Sequence, residues 1–248
     1  MIGRFLCVDF GNSRQKCALM EHGQLKDEIY FTAGEDLLQQ VQGVVRKENP
    51  QAVILSSVIN HPPGLEAWLN QHVQFIKLGH QTPLPIKIMY DKPTTLGVDR
   101  IALSVGAWSK FPGQHSLVIA AGSAITYNFV HKSGSLIGGG ISPGIEMRFK
   151  ALHSFTDQLP LVEASTQYSM IGYNTRQSIL SGVMEGAVAE VSGMIQSYAQ
   201  KYRNFNVLLT GGNLEFFASR LKNKIFADPF LLYQGLNSIL ELNAMDQS

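Results

Sequence analysis

The sequence predicts a mixed α/β fold of two similar lobes, and three observations predict it. An apolar run leads into Asp9-Phe10-Gly11-Asn12-Ser13 and a second apolar run, Lys16 to Met20, follows at once: strand, tight turn, strand. The same device returns in Ser116 to Val130, around Gly122-Ser123. Elsewhere short apolar runs alternate with segments of helical periodicity, the pattern of sheets covered by helices. A supersecondary unit present once in each half argues for two lobes, 1–113 and 114–248, each bringing a hairpin to a shared cleft.

Each element has a local reason. In the first hairpin Gly and Asn tolerate positive φ. A turn of this kind leaves N–H groups outward, a nest that holds phosphates. Asp9 at the strand end can hold Mg²⁺, which usually takes one or two carboxylates plus substrate phosphates. From this stretch alone a plain hairpin carrying an incidental acid reads equally well. Leu25 to Phe31 is a third strand. Leu37, Leu38, Val41, Val44 and Val45 line one face of a helix that Pro50 ends. Ala52 to Leu55 is a buried strand running into Ser56-Ser57; Pro62-Pro63-Gly64 opens a helix through Trp68; Val73 to Leu78 is a strand. Pro83 to Pro93 is a surface connection leading to Tyr90-Asp91-Lys92-Pro93-Thr94-Thr95-Leu96-Gly97-Val98-Asp99-Arg100 and a helix through Trp108. Asp99 at that helix start reads either as an N-cap or as a carboxylate at a cleft edge, paired with Arg100 or serving as a general base.

After the second hairpin, the glycines of Leu136 to Gly144 allow close backbone approach. A helix runs from Ile145 to about Phe155, then a turn through Pro160, and Ile171-Gly172-Tyr173-Asn174-Thr175 precedes a long helix to Lys201. Gly182, Gly186 and Gly193 in that helix predict close packing, either within the chain or against a second copy. Thr210-Gly211-Gly212 ends a strand and opens a helix (Leu214 to Leu221), where a ring can lie against backbone. A short strand at 225–227 and a closing helix from Phe230 to Leu242 follow, with the last few residues expected to fray.

Composition narrows the function. A 45% hydrophobic content with 16% charge fits a compact enzyme and excludes disorder. A formal charge of +1 gives no electrostatic case for nucleic acid or an anionic membrane. No apolar run reaches the roughly 18 residues of a transmembrane span, and the first residues show no signal peptide. Cys7 and Cys17 make neither a disulfide framework nor a zinc spacing, and read as buried reduced thiols of a cytoplasmic protein.

Two phosphate-type hairpins followed by strand, Gly-Gly and helix resemble the nucleotide site of the sugar kinase, heat-shock ATPase and actin superfamily, with its ribonuclease H-like lobes. Within it the chain resembles the type III pantothenate kinases over nearly its whole length. The motifs are Asp9 to Ser13, Leu96 to Arg100, Gly122-Ser123-Ala124-Ile125-Thr126, Gly139 to Gly144, Thr156 with Gln158-Leu159-Pro160, Asn174-Thr175 and Thr210-Gly211-Gly212. The resemblance implies ATP-dependent phosphorylation of pantothenate, the first step to coenzyme A, by a homodimer with its site near the subunit interface. It assigns Asp9, with Mg²⁺, together with Gly11, Asn12, Ser13, Gly122 and Ser123 to the phosphates, and Gly211 and Gly212 to the adenosine. It assigns Asp99 as the base and Tyr90, Gly97, Val98, Arg100 and the partner subunit's Thr175 to pantothenate. It implies a monovalent cation, K⁺ or NH₄⁺.

The departure is Ala120, where the family pattern has an aspartate; Asn128 likewise stands where some members carry an acid. Ala120 cannot ligate anything with its side chain. The alternatives it raises are a site organised differently, a catalytically impaired enzyme, and a ligand-binding or regulatory member of the family.

Overall fold

A computed structural model describes residues 3–245. The elements in order are β1 (Arg4–Phe10), β2 (Gln15–Glu21), β3 (Gln24–Tyr30), α1 (Leu37–Glu48), β4 (Ala52–Ser57), α2 (Leu65–His72), β5 (Gln74–Lys77), β6 (Lys87–Ile88), a 3₁₀ turn (Pro93–Thr95) and α3 (Val98–Lys110). There follow β7 (His115–Ala121), β8 (Ala124–His131), β9 (Ser135–Pro143), α4 (Ile145–Ser154), α5 (Thr175–Lys201), β10 (Phe205–Thr210), α6 (Leu214–Ala218), β11 (Phe226–Ala227) and α7 (Leu231–Met245). The fraying expected at the chain end falls on residues outside those described.

Two compact units result. The first takes the described residues up to Gly113, Val130–Ile137 and the stretch from Phe230 onward; the second takes Gln114–Phe129 and Gly138–Pro229. The division at 113/114 therefore misassigns two segments. The chain returns to the first unit through 130–137 and again through α7, which packs along α3. Such returns depend on long-range packing that local periodicity does not report.

In the first unit a five-stranded sheet runs β3-β2-β1-β4-β5. β1 and β2 are antiparallel, and β1, β4 and β5 are parallel. Alternation along β1 sorts two cores: Leu6, Val8 and Phe10 pack with Val41, Val45, Leu65 and Leu69 of α1 and α2, whereas Phe5 and Cys7 pack with Ile101, Val105, Leu236 and Leu240 of α3 and α7. Each fully buried aliphatic side chain there contributes about 1.5–3 kcal/mol. Cys7 and Cys17 are buried, unpaired and in different cores.

The second sheet runs β11-β10-β7-β8-β9-β6. Strand β9 was not expected; its glycines break the period-2 apolar signal that marks strands. In the second unit α5 is the core helix, burying Ile179, Leu180, Val183, Met184, Ala187, Val191 and Ile195. Asn174 caps it, its Oδ1 accepting from the Gln177 N–H at 2.9 Å. By length and composition alone α5 is long and apolar enough to cross a bilayer, which corrects the expectation that no segment is. The side chains it buries lie in the core of the second unit.

Candidate functional site

The residues singled out by sequence divide between the units. Asp9, Gly11, Asn12, Ser13, Tyr90, Gly97, Val98, Asp99 and Arg100 lie in the first; Ala120, Gly122, Ser123, Thr175, Gly211 and Gly212 lie in the second.

In the first unit Asp9 is the second-to-last residue of β1, and its cross-strand neighbours are Lys16 on β2 and Ser56 on β4. Residues directly opposite share a sheet face. A carboxylate, an ammonium and a hydroxyl therefore stand side by side. Asp9 is only 9% exposed and Ser56 is fully buried. Burial pushes the Asp9 carboxyl up to about 7; Lys16 opposes that rise, the charge of Asp99 adds to it, and Ser56 favours the ionised form. The turn beyond Asp9 is closed by the Gly11 N–H donating to the Arg14 carbonyl at 3.0 Å, with Gln15 Nε2 donating to the Gly11 carbonyl at 3.0 Å. Asn12 and Ser13 are exposed on it. Positive φ does not occur at Gly11 or Asn12; the left-handed pair sits in the next turn, at His22 (φ 53°) and Gly23 (φ 74°). The first hairpin is thus a wider turn than its Gly-Asn pair predicts.

Asp99 lies in the first turn of α3, but Gly97 is the N-cap, so Asp99 is not the cap residue. A side chain at position 97 would strike Asp99 Oδ1. Burial raises the Asp99 carboxyl; the Arg100 N–H, the Arg100 charge and the N–H of Asp99 itself pull it back. Arg100 is buried, with its guanidinium 5.9 Å from the centroid of the Tyr90 ring. Two acids and a buried arginine therefore belong to one unit. The fit to Mg²⁺ rests on that donor set: a hard, buried carboxylate, with a second acid whose charge opposes its ionisation, is relieved by a divalent cation. Among the described residues no group of three or more His, Cys, Asp or Glu gathers, so an ion here would take its remaining ligands from phosphate and water.

The second hairpin is built differently. Ala120 pairs with Thr210 of β10, and the turn is closed by the Gly122 N–H to the Ala124 carbonyl at 3.0 Å. Backbone encloses it: Gly144 N–H donates to Ser123 O at 3.1 Å, and Asn213 N–H donates to Ala121 O at 2.9 Å. A Cβ at Gly211 (φ +100°) would sit 2.5 Å from Ala121 O, and one at Gly144 would sit 2.5 Å from Ser123 O. Gly212 has open space above it. The helix after Gly211-Gly212 is only five residues long, shorter than expected.

Thr175 is exposed at the start of α5, on the rim of an apolar groove of about 720 Å³ lined by Arg148, Leu152, Phe155, Ile179 and Gly182. Beside the groove Glu190 accepts from Tyr127 (2.9 Å) and Ser142 (2.6 Å) and pairs with Arg148. Sequence reasoning missed Lys16 and Ser56. The hairpin register that puts Lys16 opposite Asp9 was the signal that could have found the lysine.

A sequence model of the type III pantothenate kinase family matches residues 5–197. A type III pantothenate kinase of Cytophaga hutchinsonii is 42% identical over 238 residues, covering 96% of this chain and 99% of that protein. One of Bacteroides fragilis is 41% identical over 239 residues, covering 96% and 98%. Among solved structures, a protein of Campylobacter jejuni described as a Baf family transcriptional activator superposes with a TM-score of 0.64 at 22% identity, covering 97% of this chain and 99% of that one. A ROK family glucokinase of Streptomyces griseus, in complex with glucose and AMPPNP, gives 0.55 at 10% identity, covering 97% and 99%. At those identities the structures show the fold alone: mixed sheets flanked by helices, as in the actin-like sugar kinases. The sequence matches show more, and the chain belongs to the type III pantothenate kinase family.

Proposed function

We propose that this chain phosphorylates pantothenate with ATP, giving phosphopantothenate and ADP, the first step of coenzyme A synthesis. The observation that carries the reading is Asp99. It is a carboxylate in the first turn of α3, beside buried Arg100, in a chain with full-length kinase relatives. Phosphoryl transfer asks little more of a protein than positioning, charge stabilisation and an acceptor for the hydroxyl proton. The substrate hydroxyl oxygen attacks the terminal phosphorus, its proton passes to Asp99, and the bond to the bridging oxygen breaks to release ADP. Tyr90, Gly97, Val98 and Arg100, with the partner subunit's Thr175, hold pantothenate. Gly11, Asn12, Ser13, Gly122 and Ser123 offer backbone and small polar groups to the phosphates. Gly211 and Gly212 leave room for the adenosine. Asp9 would hold Mg²⁺, which when bound neutralises phosphate charge. A K⁺ or NH₄⁺ ion completes the set, held without a carboxylate at Ala120.

We further propose a cytoplasmic homodimer. Its support is the open face of α5, where Cβ atoms built at Gly182, Gly186 and Gly193 meet nothing within 4 Å, and the exposed Phe155, Met170, Ile171 and Tyr173. Unpartnered small and apolar surface of this extent fits a second copy. The full-length relatives favour the kinase over the impaired or ligand-binding alternatives raised by Ala120. Mass spectrometry of pantothenate incubated with the protein, ATP and Mg²⁺ tests the reading: mass gain of one phosphate supports it, and unchanged pantothenate contradicts it. Sedimentation at micromolar concentration tests the dimer.

A further inference from the structure

Four side chains of the first unit form a polar cluster on the sheet face that carries Asp9. Lys16 Nζ lies 3.3 Å from Glu28 Oε1 and 4.9 Å from the centroid of the Tyr233 ring. Tyr233 Oη donates to the same Glu28 oxygen at 3.0 Å, and Tyr30 Oη donates to Glu28 Oε2 at 3.0 Å. Tyr233 is fully buried, and Lys16 keeps 21% of its side chain exposed. Lysine has four rotatable stem bonds and loses them only where contacts hold it. Here a carboxylate and an aromatic face hold it from two sides, beside Asp9.

We propose that Glu28 and Tyr233 are positioning residues that aim the Lys16 ammonium at the phosphates of the nucleotide. The proposal rests on the reading of the first hairpin as the phosphate site. A cation beside the hairpin attracts phosphate. Lys16→Arg keeps that charge and Lys16→Met removes it, so the pair separates a lost charge from a merely loosened structure. Tyr233, on the closing helix, thereby ties α7 to β3 across 205 residues of sequence.

The test is calorimetric and needs no turnover. AMPPNP is titrated into wild type, Lys16→Met, Lys16→Arg, Tyr233→Phe and Tyr233→Phe/Lys16→Met. Lys16→Met is expected to weaken AMPPNP about tenfold, with Lys16→Arg restoring most of the affinity. Tyr233→Phe is expected to weaken AMPPNP about threefold alone and to add nothing in the Lys16→Met background. Unchanged AMPPNP affinity in Lys16→Met overturns the proposal, as does an equal Tyr233→Phe loss in both backgrounds. A wild type that binds no AMPPNP overturns the hairpin reading itself.

Discussion

At the first hairpin the strand carries a buried carboxylate near its end, Asp9, flanked by Lys16 and Ser56 and opposed by the charge of Asp99. At the second hairpin the strand position two before the glycine is Ala120, and the turn is enclosed by backbone of Gly144, Gly211 and Asn213. One supersecondary unit thus serves in two ways. The first copy concentrates charge; the second is closed in by neighbouring backbone. The two copies share a topology and differ in chemistry at the residue two before each turn glycine, Asp9 in one and Ala120 in the other. Burying a carboxylate costs free energy that Lys16 and Ser56 offset only in part, whereas an alanine carries no such cost.

The largest expected effect is at the charged side. Asp99→Asn should lower turnover about a hundredfold or more while leaving the circular dichroism spectrum and Tm unchanged. A variant with wild-type kcat would remove Asp99 from the base role. On the other side the sensitive groups are glycines. Gly144→Ala forces a Cβ onto the carbonyls of Gly122 and Ser123 and should cost about 1–3 kcal/mol in urea unfolding, with nucleotide affinity falling alongside.

The electrostatic strain at Asp9 has a pH signature. Burial raises its carboxyl to about 7, so the folded protein keeps a proton that the unfolded chain has already released. That contribution to stability is full below about pH 4 and is lost as the pH rises through about 7. Asp9→Asn should therefore gain on the wild type by about 2 kcal/mol between those limits in metal-free urea melts. A pH-independent difference would mean that Asp9 is not strained.

The smallest effect is expected from Ala120→Asp. A second carboxylate should raise kcat a few-fold at saturating K⁺ or NH₄⁺, or steepen the dependence on that ion, since the effect acts through a monovalent cation and not the reacting atoms. Identical cation curves for the two proteins would count against a cation site at the second hairpin.

What could be read in sequence followed from range. Both hairpins, Asp9 and the placement of Asp99 at a helix start are local, and local patterns report them. Gly97, not Asp99, caps α3, because turn geometry at a helix start depends on the approach of the chain. Strand β9 was hidden by its own glycines. The return of α7 to the first unit and the Glu28–Tyr233 contact join residues far apart in sequence, and nothing in either segment signals its partner.

The most direct test is ADP release from purified protein with ATP, Mg²⁺ and K⁺, with and without pantothenate, run in parallel on Asp99→Asn and Ala120→Asp. The wild type is expected to release ADP only with pantothenate present, and Asp99→Asn to abolish that release. Release indifferent to pantothenate, or silence from both the wild type and Ala120→Asp, would contradict it.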